Sequence, residues 1–245
     1  MIVLNPGMQK SGSAYIYNLL NDSLQASGGQ DARYVKNKYG LENIMKWANN
    51  AIGWPGLFKC MRLYRISQTE GPFVVKTHSG PNWVVKLFVA MGAMKVIYIY
   101  RDPRDVLLSA VDHGNRILAE GGSHTFAKFA NFDAALRKVK RWIKRGRGYK
   151  RMPNVLTIKY EDLMFNAVTV LKECEEYLGI EISDDVRSEI IWKYDRTNTD
   201  AKMDGLHFNK AQTMRWKTEM SDEQKKICDQ KLGKYLVQMG YELYQ

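Results

Sequence analysis

Cysteine is scarce: the 245 residues hold three, Cys60, Cys174 and Cys228. They are odd in number and far apart, which excludes a disulfide-stapled scaffold and suits a reducing compartment. Histidine is nearly as rare. His78, His113, His124 and His207 form no H-x-x-x-H pair and no cluster with cysteine, so no structural zinc site is expected. No stretch nears the ~20 apolar residues of a membrane span. Asn5, Gln9 and Lys10 interrupt the opening at once, so no secretory leader is read. The chain is therefore read as soluble and cytoplasmic. Repeats and low-complexity linkers are also missing, and residues 1–245 are read as one domain. Acidic residues are the last shortage: 26 Asp and Glu stand against 37 Lys and Arg, a net charge of +11 that favours an anionic partner.

What is present is a hydrophobic fraction of 45%, enough for a full core. Short β-branched or aromatic runs at 2–4, 73–76, 95–100 and 155–159 read as strands, each followed by a helical pattern. The expected helices are 13–24, 81–91, 103–118, 124–145, 161–178, 184–194 and 221–239. Asp102 before Pro103 reads as an N-cap with Pro in the first turn, and Ser221 with Gln224 as a capping box. Alternating strands and helices predict an α/β fold of three layers, a central parallel sheet flanked by helices. Residues 25–72, with Gly28-Gly29, Gly40, Gly53 and Trp54-Pro55-Gly56 around short helical pieces, read as an elaboration beside a site.

In such sheets ligands bind beyond the carboxyl ends of the strands. The first such segment, Pro6-Gly7-Met8-Gln9-Lys10-Ser11-Gly12-Ser13, is a glycine loop between a strand and a helix start. It makes an anion cradle of P-loop type from backbone N–H groups and the helix dipole. A nucleoside-triphosphatase needs Lys directly after the second Gly. Here Ser13 and Ala14 follow Gly12, and the lysine is Lys10, inside the loop. The second segment ends a strand in Lys76-Thr77-His78, which puts a candidate general base at the ligand edge. The third is Tyr100-Arg101-Asp102-Pro103-Arg104-Asp105, with Ser109 two helical turns on. Arg101 and Ser109 can grip one phosphate together, or Arg101 can pair structurally with Asp102 or Asp105. Arg104 and Asp105 are read as structural ion-pair residues of the first helical turn. The fourth is Lys159-Tyr160-Glu161-Asp162. Its acids suit a helix start, and Tyr160 can face a base or pack.

These four pieces, in this order, resemble the cytosolic-type sulfotransferases. Lys10-Ser11-Gly12-Ser13-Ala14-Tyr15 stands for that family's P-K-S-G-[ST]-[ST]-W loop, with Gln9 where Pro is usual. Lys76-Thr77-His78 stands for K-T-H, Arg101 with Ser109 for the 3′-phosphate motif, and Tyr160-Glu161-Asp162 for Y-E-D. Asn209-Lys210-Ala211 and Trp216-Lys217 stand for R-K-G…W-K, with Lys210 kept from the triplet. The resemblance implies transfer of a sulfuryl group from 3′-phosphoadenosine 5′-phosphosulfate (PAPS) to an acceptor hydroxyl or amine, with 3′-phosphoadenosine 5′-phosphate (PAP) as product and no metal. It further implies that Lys10 stabilises the leaving phosphate and His78 takes the acceptor's proton. Lys76 would hold sulfuryl oxygens, and Ser109 would contact the 3′-phosphate and restrain Lys10. Ser11, Gly12, Ser13, Ala14, Arg101 and Lys210 would grip the nucleotide, and Tyr15 and Tyr160 would flank adenine, with Asn198 and Thr199 nearby. The family's dimer segment falls at 217–226, where Lys217 alone matches.

Two other readings are weighed. A kinase or NTPase with a degenerate Walker loop needs Lys after Gly12 and a strand ending in Asp for Mg²⁺. A non-catalytic module is suggested by the basic run from Arg137 to Arg145, continued by Arg147, Lys150 and Arg151. Leu136, Val139 and Ile143 make an apolar stripe there, so the run is read as the solvated face of a docked helix, and no nucleic-acid partner is expected. The acceptor is read as a small molecule, glycan or lipid, its pocket shaped by 25–72, 113–130 and 195–208.

Overall fold

The structure, a computed structural model, describes residues 1–47, 49–123, 125–195, 197–198 and 212–244. Four strands, β1 (Ile2–Pro6), β2 (Phe73–Thr77), β3 (Met94–Tyr100) and β4 (Val155–Lys159), form one sheet in the order β2-β1-β3-β4. Every pairing is parallel. Side chains alternate between the two faces, as the strand period requires. Ile2, Leu4, Phe73, Val75, Val96 and Tyr98 enter one core; Val3, Val74, Ile97, Ile99 and Ile158 enter the other. Both faces are apolar because both are covered, which is why these strands read as continuous hydrophobic runs.

The first face is covered by α3 (Leu57–Glu70), α4 (Trp83–Ala90), α5 (Pro103–Ala119), α6 (Phe132–Gly146) and α11 (Asp222–Met239). The second is covered by α1 (Ser13–Ala26), α7 (Tyr160–Phe165), α8 (Ala167–Leu178) and α9 (Asp184–Lys193). Two shorter helices are α2 (Ala32–Lys38) and α10 (Trp216–Glu219). All three cysteines are free and buried. Among the described residues, no helix is long and apolar enough to cross a membrane.

Two expected helices are interrupted, each at an asparagine. Residues 125–130 form a 3-10 turn, and Asn131 then caps α6 by accepting from the Ala134 N–H. Asn166, at φ −145° and ψ 63°, ends α7 and caps α8 by accepting from the Thr169 N–H. A side chain that satisfies a free helical donor makes the break favourable. The elaboration at 25–72 is more regular than expected: it contains the 14-residue α3.

β1 has a neighbour on each side, and the chain leaves it toward β2 before crossing to β3. That topology opens a crevice beyond the carboxyl end of β1. Pro6 pairs with Thr77, and Gly7 bridges to Ile99. The ends of β1, β2 and β3 therefore deliver the loop at 7–12, His78 and Arg101 to one sheet edge.

Candidate active site

The loop at 7–12 is shaped by two backbone conformations. Gly12 has φ 77° and Lys10 has φ 69°, both left-handed. Glycine adopts this freely, whereas at lysine it is uncommon and costs about 1–2 kcal/mol. A Cβ at Gly12 would lie 2.5 Å from the Tyr160 ring, and one at Gly7 2.8 Å from both Ile99 and Ser13. The loop can thus lie on β3 and α7 only with glycine at both points. Ser11 is turned inward: its hydroxyl and N–H both donate to the Met8 carbonyl, at 2.6 and 3.3 Å. Its donors are spent pinning the loop, unlike the outward contact expected of it. The N–H groups of Lys10, Gly12, Ser13 and Ala14 donate to no described group. They converge where α1 begins, so the cradle is open to an anion.

His78 is half-buried at the end of β2. Its Nδ1 lies 2.7 Å from the Gly7 carbonyl oxygen. A carbonyl only accepts, so Nδ1 carries the hydrogen and Nε2 keeps its lone pair. Burial, and then the charge of Lys76, lower the His78 pKa to about 4, against a smaller opposing effect of the Gly7 bond. The imidazole is therefore neutral near pH 7, in the tautomer a general base requires.

Lys76 is 3% exposed, and burial lowers its pKa from the ordinary 10.5 to about 8. Between those values the unfolded chain holds a proton that the folded chain releases. Stability therefore rises with pH across that window, and the buried ammonium costs on the order of 2–3 kcal/mol below it. Lys76→Met is expected to raise Tm by about 5–10 °C near pH 7, with the gap closing toward pH 10. Thermal melts at the two pH values check this; an unchanged or lowered Tm overturns it.

Lys10 extends toward α5. Its Nζ lies 5.6 Å from the Phe126 ring centroid. Burial, then the neighbouring Arg116, lower its pKa to about 8, while Asp112 opposes them. Arg116 and Phe126 belong to the segment 113–130 expected to shape the acceptor pocket, whereas Asp112, also a neighbour of Lys10, was missed by sequence reasoning. A signal existed: 109, 112, 113 and 116 share one helical face. Ser109 is buried on that face, but its hydroxyl meets no described partner, and the expected contact with Lys10 is not formed.

Arg101 follows β3. It donates to the Lys10 carbonyl at 3.4 Å, to the Gln212 carbonyl at 2.6 Å and to Asp105 at 3.3 Å, and its guanidinium lies 4.4 Å from the Tyr160 ring. Its Nε is buried with no partner. The structural pairing with Asp105 is present, yet one donor is left over for a ligand. Arg104 pairs with Asp102 at 2.8 Å, and its guanidinium lies 3.5 Å from the Trp216 ring; the backbone N–H of Trp216 donates to Asp105 at 3.1 Å. Asp102 is in reach because it is the α5 cap, accepting from the Arg104 N–H.

Tyr15 and Tyr160 are set apart. Tyr160 is 4% exposed, sandwiched between Gly12 and Arg101. Tyr15 borders a cavity of about 710 Å³ with Phe165, Tyr194, Asp195 and Met214. Tyr160 is thus a platform for the loop, and Tyr15 alone of the two reaches the cavity. Asn198 is described, and its amide donates to the Trp192 carbonyl at 3.4 Å. Lys210, Thr199, Asn209 and Ala211 lie outside the described residues.

A family model described as a sulfotransferase domain matches residues 3–240. The chain belongs to this family. Sulfotransferase 6B1 of Danio rerio is 26% identical over 73% of this chain and 66% of its own length. Sulfotransferase 2A1 of Mus musculus is 26% identical over 76% and 61%. The aligned part thus spans two thirds or less of these curated relatives. Mouse sulfotransferase SULT7A1 complexed with PAP superposes with a TM-score of 0.62 over 96% of this chain and 84% of its own, at 17% identity. Retinol dehydratase in complex with retinol and PAP gives 0.60 over 100% and 83%, at 18% identity. The sulfotransferase fold accounts for the parallel sheet and for the loop, histidine and arginine sharing one edge. The residues at that edge also fit a nucleotide with two phosphates. Four loop N–H groups, the buried Arg101 Nε and the Ser109 hydroxyl are left without a partner among the described residues.

Proposed function

We propose that residues 1–245 form a single PAPS-dependent sulfotransferase domain acting on the hydroxyl or amine of a small organic acceptor. The observation that carries this reading is the 2.7 Å bond between His78 Nδ1 and the Gly7 carbonyl. It ties the base to the anion loop and leaves Nε2 free for a proton. In the reaction an acceptor O–S or N–S bond forms, the bond from sulfur to the nucleotide's phosphate oxygen breaks, and the acceptor's proton goes to His78 Nε2. Lys10 meets the negative charge that grows on the departing phosphate, an interaction stronger in the transition state than before it. Lys76 holds the sulfuryl oxygens. The N–H groups of Gly12, Ser13 and Ala14 hold the 5′-phosphate. Arg101, through Nε, and Ser109 hold the 3′-phosphate, and Tyr15 lies against the adenine. Lys210 is proposed as a further 3′-phosphate contact. The PAP named in the mouse SULT7A1 and retinol dehydratase complexes supports the choice of cosubstrate.

The test is a transfer screen with labelled PAPS over phenols, steroids, sugars, glycolipids and amines, with and without EDTA. Label transfer that survives chelation supports the reading. A strict Mg²⁺ requirement with ATP as donor overturns it in favour of a kinase. Arg101→Lys keeps the charge beside Asp105 but loses the fork. It is expected to weaken PAP about tenfold in calorimetry and to leave adenosine 5′-phosphate, which lacks the 3′-phosphate, within about twofold. Equal losses for both nucleotides overturn the assignment of Arg101.

A further inference from the structure

A second concavity starts at Ser79, the residue after His78. It measures about 980 Å³ and is bounded by Trp54, the segment Ser79-Gly80-Pro81, the Lys86 face of α4, the end of α6 and residues 148–154. That volume suits a drug-sized organic molecule. The concavity is built by close backbone approach. A Cβ on Gly80 would meet the Arg145 carbonyl at 2.6 Å, and one on Gly148 the Pro81 ring at 2.7 Å. These two glycines let the turn after β2 press against the end of α6, and the walls rise on either side.

The lining has two characters. Trp54, Pro81, Val89, Ala90, Met152 and Pro153 supply apolar surface, and Trp54 is 61% exposed. Lys86, Lys144, Arg145 and Arg151 supply four cations, and no Asp or Glu stands among the described lining residues. None of the four makes an ion pair or a side-chain hydrogen bond with a described residue. These four are exposed, unlike the buried Arg101, Arg104, Arg187 and Arg215, each of which is tied to a carboxylate. Lys144 and Arg145 gain from the carbonyl end of α6, which favours cations. Lys86 in the middle of α4 and Arg151 in the 3-10 turn have no such reason. Part of the basic run at 137–151 is therefore the rim of an apolar cavity, not merely a solvated helix face. Four uncompensated cations around an apolar floor are complementary to one kind of ligand, an apolar body with an anionic end.

We propose that this groove is a binding site for a small amphiphilic organic anion, an aryl or alkyl body carrying a carboxylate, sulfate or phosphate. The body lies on Trp54, Val89 and Met152, and the anionic end meets Lys86, Lys144, Arg145 and Arg151. The site begins at Ser79, one residue past His78, and no residue of the loop at 7–12 lines it.

The test is fluorescence titration of the full chain with pyrenebutyrate and with its neutral counterpart pyrenebutanol, in excess PAP to fill the phosphate loop. The expected result is saturable binding of the anion at least about tenfold tighter than the alcohol. Lys86→Glu on α4 and Lys144→Glu on α6 are each expected to weaken the anion about tenfold and leave the alcohol unchanged. The two lie on different helices, so a folding defect in one, read by its circular dichroism, leaves the other informative. Equal affinity for acid and alcohol overturns the proposal. So does binding that both reversals leave intact, binding that PAP displaces, or a charge-reversal effect confined to phosphatidylserine vesicles or single-stranded DNA.

Discussion

His78→Gln is expected to lower kcat for sulfuryl transfer by about 10²–10⁴-fold, the usual contribution of a positioned general base. PAP affinity should stay within a few-fold, because the histidine faces the proton and not the nucleotide. The argument rests on the tautomer. The Gly7 carbonyl holds the hydrogen on Nδ1, so a lone pair is always present on Nε2. The same surroundings keep the ring uncharged: burial and Lys76 set its pKa at about 4. A group lowered in this way loses activity only when acid protonates it. The acid limb of kcat/KM for the acceptor is therefore expected near pH 4, well below the ordinary 6.5 of histidine. Initial rates from pH 4 to pH 8 check this. Wild-type-like kcat in His78→Gln, or an acid limb at 6.5 in the wild type, removes His78 from the reaction. A base this weak favours acceptors whose own proton is acidic, such as phenols, over simple alcohols, by the Brønsted relation between driving force and proton transfer.

Much of this site was legible because backbone geometry wrote it into local spacing. A parallel strand must end at the ligand edge, so Lys10, His78 and Arg101, each just beyond an apolar run, could be placed there without knowing the register. What stayed hidden depends on contacts between segments distant in sequence. Tyr160 follows a strand as His78 does, but Gly12 and Arg101 close over it, and only the fold brings residues 12, 101 and 160 together. The partner of Arg104 was not legible for a different reason. The side chain that caps α5 is Asp102, which already faces the Arg104 N–H and takes the guanidinium too, leaving Asp105 for Arg101 and Trp216. Helix breaks at Asn131 and Asn166 were concealed because periodicity continues across both. The groove rim was concealed because its four cations come from three separate segments.

Lys10→Ala is expected to lower kcat by about 10²–10³-fold, comparable to removing one preorganised donor to a developing anion, with PAP affinity changed much less. The conformation supports a dedicated role. A lysine held left-handed at φ 69° costs stability, and here it turns the side chain along α5 toward Phe126 and away from solvent. Burial there leaves the ammonium with a pKa of about 8. The reaction uses the charged form, so its contribution is complete below that value and disappears as pH rises through it. Lys76 titrates in the same range. With both cations required, log(kcat/KM) for PAPS should fall above about pH 8 with a slope approaching −2, since that parameter reports the free enzyme. Lys10→Arg replaces one titrating group with a cation that stays charged, and its slope should relax to about −1. The limb of kcat itself should move to higher pH, because the bound phosphosulfate favours both ammonium groups. A profile flat to pH 10, or an unchanged slope in Lys10→Arg, would show that the charge of Lys10 is not what the transition state uses.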